Sequence, residues 1–185
     1  MLGIESYNPK FYTETGDIFT ELNEAFGKLI GKVISEVWVA YDINENEWFK
    51  DCPVVLKIDD MQVEICAYKM DELAITLNSI NMSEKLNWYD MEDFELEWRM
   101  NVFPDLLTIL NKKICDIEII EYNLIAEIIY NKDIEQSKKA SAWLLNGIGF
   151  KLEDGYCAVF NGLDENNISI KPDFSDNIRT FKLQR

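Results

Sequence analysis

The stretch Lys32-Val33-Ile34-Ser35-Glu36-Val37-Trp38-Val39 returns 80 residues further on as Lys112-Lys113-Ile114-Cys115-Asp116-Ile117-Glu118-Ile119, without a gap. The first copy is rich in β-branched and aromatic residues and the second has isoleucine at the positions of Ile34, Val37 and Val39, the composition of a strand that packs on a pleated, half-buried surface. Both follow an apolar stretch, ending in Leu29-Ile30 or Ile109-Leu110. Upstream of the first copy, Ile18, Leu22, Phe26, Leu29 and Ile30 recur at three- and four-residue spacing. That spacing predicts an amphipathic helix with Asp17 as N-cap and Gly31 as its stop. Upstream of the second, Pro104 and Leu106 to Leu110 predict a shorter helix.

Downstream, Val54–Ile58 and Met61–Ala67 flank Asp59-Asp60 as a hairpin, and Leu73–Leu77 is a further short strand. In the second half Trp143–Leu152 and Tyr156–Phe160 bracket Glu153-Asp154-Gly155, a stronger hairpin signal. Leu124–Tyr130 reads as another strand or a continuation of Ile114–Tyr122, and the polar run Asp133–Lys139 reads as a helical turn. Ile168–Ile170 and Ile178–Leu183 read as edge strands. Asp71-Glu72-x-x-Ile75-Thr76 is echoed by Asp164-Glu165-x-x-Ile168-Ser169 at an offset of 93, which puts the extra residues after Tyr122. The expectation is an α+β fold, mostly antiparallel sheet with a few helices, in one compact domain over 1–185. Within it, 18–80 and 103–170 read either as a duplication into two helix-strand-hairpin halves or as two halves sharing a common pattern.

Phe94, Leu96, Trp98 and Met100 alternate with Glu95, Glu97 and Arg99, which predicts a strand with one buried and one charged face. Of the tryptophans, Trp38, Trp98 and Trp143 fall in strand patterns and are expected in the core. Trp48 and Trp88 fall in polar stretches and are expected on a contact surface.

Composition narrows function by exclusion. There are 34 acidic and 18 basic residues among 185, a formal charge of −16, and no histidine. The absent imidazole removes Ser-His-Asp and Cys-His relays and histidine metal ligands. So acidic a surface repels phosphate backbones, so no nucleic-acid partner is expected. No apolar run reaches the ~20 residues of a membrane helix, so no membrane association is expected. The start MLGIESYNPKFYTETGD has no cationic segment before an apolar one, which predicts no signal peptide and a cytoplasmic location. Cys52, Cys66, Cys115 and Cys157 form no C-x-x-C pair, and the last three lie in apolar runs, which predicts reduced core thiols and no metal or cofactor.

The acid is concentrated in two places: Asp42, Glu45 and Glu47 beside Trp48, and Glu92, Asp93, Glu95 and Glu97 after Trp88. Asp42-x-Asn44-x-Asn46 starts like a calcium loop, but Glu47 stands where the turn glycine belongs and Pro53 where the closing glutamate belongs. Glu95 and Glu97 share a strand face at a separation that would suit a metal, with Arg99 as the only cation beside them. Three classes of function remain: an acidic binding protein, a structural or regulatory interaction module, and a carboxylate enzyme using a divalent metal.

Three phrases carry a family resemblance: Leu29-Ile30-Gly31-Lys32-x-Ile34-x-x-Val37, Trp48-Phe49-x-x-x-Pro53 before a hairpin, and Asn161-Gly162-Leu163-Asp164-Glu165. Over roughly residues 18 to 170 the chain resembles the small acidic immunity proteins that accompany bacterial polymorphic toxins. The resemblance implies a non-enzymatic toxin inhibitor that docks on a cognate toxin domain and blocks its active site or substrate channel. Such families share no catalytic motif, so it assigns no residue a role. The residues expected to meet that partner are Asp42, Glu45, Glu47, Trp48, Trp88, Glu92, Asp93, Glu95 and Glu97.

Overall fold

A computed structural model describes residues 3–4, 7–87, 95–131, 136–173 and 175–183, with the backbone alone described for 126–131 and 136–140. Among these residues the chain forms two antiparallel sheets. The first holds β1 (Phe11–Tyr12), β2 (Ile34–Asp42), β3 (Glu47–Trp48), β4 (Val54–Ile58), β5 (Met61–Tyr68), β6 (Glu72–Leu77) and β7 (Leu96–Met100). The second holds β8 (Ile114–Asn131), β9 (Gln136–Leu152), β10 (Gly155–Asn161), β11 (Asn166–Ser169) and β12 (Ile178–Lys182).

The sheet expectation is met, but the helical share is smaller than expected, so the class is mostly β with few helices. Among the described residues there is one α-helix, α1 (Thr15–Gly27), and one 3-10 helix, Pro104–Thr108. α1 starts two residues before the expected cap: Glu14 is extended at the N-cap without a side-chain bond, and Asp17 lies in the first turn, where its charge suits the helix dipole. The second helical segment stays short because Leu106 and Ile109 already reach the core, and Asn111, at φ +59°, turns the chain toward β8.

Strand order in the first sheet runs β6-β5-β4-β2, with β7 on the other edge of β2: Trp38 pairs with both Val55 and Met100. The second sheet runs β11-β10-β9-β8-β12. Each central hairpin closes over two residues, Ile58 facing Met61 and Leu152 facing Gly155. Each leading strand carries a bulge just after its start, between Ile34 and Glu36 and between Ile114 and Asp116. A bulge inserts one residue and resets which side chains face inward.

The two sheets meet where these strands begin. Val33 bridges Lys113, Gly31 N–H donates to the Ile114 carbonyl at 2.8 Å, and Asn111 N–H donates to the Ile34 carbonyl at 2.8 Å. Gly31 sits at φ +84°, a conformation that costs glycine little. Lys32 pairs with Asp60 at one hairpin tip, and Lys112 pairs with Asp154 at the other, 2.9 Å away. Inward from this junction, Val37, Val39, Leu56 and Ile65 share one core with Ile117, Ile119, Ile148 and Phe150, and Ile18 and Phe26 of α1 plug it. Burying such side chains is worth about 1.5–3 kcal/mol each, the main driving force for this architecture.

Three local expectations are corrected. Residues 136–139 are strand rather than helical turn, because β9 pairs with the far end of β8 (Glu127 with Lys139, Ile128 with Lys138), and a two-stranded ribbon needs no apolar alternation. Trp143 is 36% exposed rather than in the core, stacked under the Arg179 guanidinium 4.4 Å from its ring. Cys115 is exposed beside the β8 bulge, whereas Cys52 is buried with Cys66 and Cys157. Burial pushes the Cys66 and Cys157 thiols up to about 12 and that of Cys52 well above its ordinary value. Titrating the native protein with DTNB near pH 8 is therefore expected to show one fast thiol, Cys115, with the other three reacting only on unfolding. Four fast thiols would contradict the buried placement.

Candidate functional site

At one end of the first sheet, the loop 42–47 folds against β7. Asp42 is 5% exposed, and its Oδ1 accepts the N–H groups of Asn44 (2.8 Å) and Glu45 (3.3 Å), an Asx turn that shapes the loop. Ile43 N–H donates to the Glu95 carbonyl at 2.9 Å, and Tyr41 faces Glu97 across the ladder. Glu95 and Glu97, the described part of the second acidic stretch, therefore adjoin the loop 42–47 although far from it in sequence. The Arg99 guanidinium stacks 3.9 Å from the Tyr41 ring centre, and its Nε pairs with Glu97 at 2.5 Å. Glu45, Glu47 and Glu95 are exposed and, among the described residues, make no ion pair.

Two of the expected contact residues do different work. Asp42 shapes the loop, as above. Trp48 is half-buried, packed edge-on against Phe103 at 5.3 Å and against the core, with Lys50 5.6 Å from its ring. Its polar sequence neighbours belong to the loop, while the strand pairing of β3 with β2 turns the indole inward. Trp88, Glu92 and Asp93 lie outside the described residues. Among the described residues no three Asp, Glu or Cys side chains converge to hold a metal ion.

A second feature was not anticipated from sequence: the outer face of the second sheet, the face turned away from the shared core. Ile120 of β8, Tyr156, Ala158 and Phe160 of β10 and Ile178 of β12 form an apolar cluster there. The central strand contributes Gly149. A Cβ at that position would lie 2.2 Å from the Tyr156 hydroxyl and 3.2 Å from Glu118 Cγ. Glycine thus lets the tyrosine lie across the sheet and donate its hydroxyl to Glu118 Oε1 at 3.0 Å. Glu118 is 2% exposed and pairs through Oε2 with Lys151 at 2.6 Å. Burial, and then the adjacent Glu118, push the Tyr156 phenol well above its ordinary range, so it stays a proton donor in this cluster.

Beside this polar end runs a groove of about 400 Å³, bordered by Ile120, Leu124, Leu144 and Phe160, with Met70 and Leu163 at its lip. The volume lies within the ~300–1,000 Å³ of ligand clefts. In sequence, only the glycine pair Gly147 and Gly149 inside an apolar strand hints at a surface over which other side chains lie.

No family model, curated protein or solved structure matches the chain.

Proposed function

We propose that this chain is a non-enzymatic acidic binding protein that docks on another protein, acting as an immunity protein toward a toxin domain with a basic surface. One observation carries the reading: the folding of loop 42–47 against β7, which concentrates Glu45, Glu47 and Glu95 on one end of a chain of charge −16. Clustered like charge raises the encounter rate with an opposite surface and falls off with salt. Affinity would come from apolar contacts nearby rather than from the acids themselves.

The variant Glu95→Lys/Glu97→Lys is expected to slow association with a basic partner about tenfold at low salt and to flatten its salt dependence, while leaving dissociation nearly unchanged. Stopped-flow mixing measures both. An unchanged association rate would remove this surface from the account.

The proposal includes a duplicated origin for 18–80 and 103–170. Support comes from the shared strand order of the two sheets, the paired bulges, the paired two-residue hairpins and the paired Lys-Asp contacts at the hairpin tips. The extra residues of the second copy form the outer part of the β8–β9 ribbon.

A further inference from the structure

The outer faces of the two sheets are finished differently. Over the first sheet, Ala40, Val55, Cys66, Ala74 and Leu96 are buried under segments of the chain itself. Ile4 and Tyr7 come from the N-terminal stretch, and Ile80 and Leu86 from the connection after β6. Asn87 N–H donates to the Gly3 carbonyl at 3.1 Å, joining the two covers. Glu64 hooks the second of them, accepting the N–H groups of Ser79 at 2.9 Å and Ile80 at 3.3 Å.

Matching the registers of the two sheets puts Ile120 where Ala40 stands, Tyr156 for Gln62, Ala158 for Glu64, Phe160 for Cys66 and Ile178 for Leu96. Here the hook is gone, since alanine replaces the glutamate. The connection from β11 to β12 spans only 170–177, against 78–95 in the first sheet, and the short stretch between β7 and the 3-10 helix supplies no second N-terminal cover. Among the described residues the apolar groove is what remains open, with Lys171 and Asp173 of that short connection along its side.

Its lip adds an independent observation. Leu163 is held at φ +70°, next to Asp164 at the same angle, and is 76% exposed. A leucine in left-handed backbone is disfavoured, because its Cβ crowds the neighbouring carbonyl oxygen. The Asn161 side chain, accepting the Asp164 N–H at 2.9 Å, and the Gly162-to-Glu165 backbone bond hold it there. Neither backbone preference nor burial within the chain rewards that placement; a covering partner would. Most of the groove's lining is apolar, with Lys171 and Asp173 its charged members, so the site favours apolar groups over most of its length.

We propose that this groove takes an extended segment of the partner protein bearing apolar or aromatic side chains at alternate positions. That segment would do for the second sheet what Ile4, Tyr7, Ile80 and Leu86 do for the first. The inference rests on the protein-binding reading and on the match between the halves, and is independent of the acidic end.

The test is selection of random displayed peptides on the immobilised full chain, followed by binding of the enriched peptides, made synthetically, to wild type, Leu163→Gly and Leu163→Asp. Enriched peptides are expected to carry large apolar residues two positions apart, and their affinity to fall about tenfold in both variants. Leu163→Gly relieves the left-handed strain and is expected to hold or raise the melting temperature, so its weaker binding cannot come from misfolding. No enrichment, or peptides indifferent to both variants, would overturn the proposal. So would a wild-type dimer in sedimentation that either variant dissolves, because a second copy would then be the occupant. Failure here with charge-sensitive association intact removes the groove alone; success here with charge-insensitive association removes the acidic end alone.

Discussion

Replacing Glu64 by alanine is expected to lower the stability by about 3–5 kcal/mol, and the melting temperature by roughly 10 °C, the largest effect of any single substitution considered. Glu64 has no exposed surface. Its Oε1 accepts from Gln62 Nε2 at 2.5 Å and from the Ser79 and Ile80 N–H groups, and its Oε2 accepts from the hydroxyls of Thr76 at 2.7 Å and Ser79 at 3.1 Å. Alanine removes the acceptor from five donors at once and leaves a void, and water would have to enter beneath the 78–80 cover to satisfy them. Glutamine discriminates the causes. Its carbonyl can serve the three N–H donors while its amide donates to hydroxyls that are free to rotate and accept, so Glu64→Gln is expected to lose only about 1–2 kcal/mol. Urea unfolding measures both, and a loss below about 1 kcal/mol for Glu64→Ala would show that the cover is not held by this residue.

Asn166→Ala is expected to cost about 2–4 kcal/mol, because the side chain joins the two sheets rather than serving its own strand. Asn166 lies in β11 of the second sheet and is fully buried. Its Oδ1 accepts the Ala67 N–H at 2.8 Å, and its Nδ2 donates to the Lys50 and Cys52 carbonyls at 2.7 and 2.9 Å, all three in the first half. Lys50 returns the contact, with its ammonium 2.7 Å from Glu165. Asn166→Asp is a sharper probe, since it keeps the acceptor for Ala67 but turns a carboxylate toward two carbonyls; a cost at least equal to that of alanine is expected. If the aspartate variant matched wild type in calorimetry, the donor half of the junction would carry no weight.

The reading of the sheets from sequence rested on features with a local physical cause. Turn residues between apolar runs, Asp59-Asp60 and Glu153-Asp154-Gly155, placed both central hairpins, and the 32–39 and 112–119 echo placed the two leading strands that meet at Val33 and Lys113. Glu64 was illegible for the opposite reason. In Met61-Gln62-Val63-Glu64-Ile65 a polar residue at alternate positions reads as the solvent face of a half-buried strand, whereas here both faces are covered and the polar face is bonded internally. The exposure of Trp143 and the half-burial of Trp48 are not legible because hydrophobicity of the neighbours reports the strand, not which side of it is covered. The acidic loop and β7 were each legible as acidic; their adjacency was not, since it depends on β7 crossing to the free edge of β2. The groove was the least legible part, because it is defined by a missing cover.

Docking through the acidic end is tested most directly by affinity capture from the chain's native cells. Wild type and Glu45→Lys/Glu47→Lys/Glu95→Lys/Glu97→Lys, matched for melting temperature, would be compared as bait at low and high salt, with mass spectrometry of what is retained. The expected result is one basic protein strongly enriched on wild type, diminished by salt and absent from the reversed variant. The same proteins on both baits, or no basic protein on wild type, would contradict it.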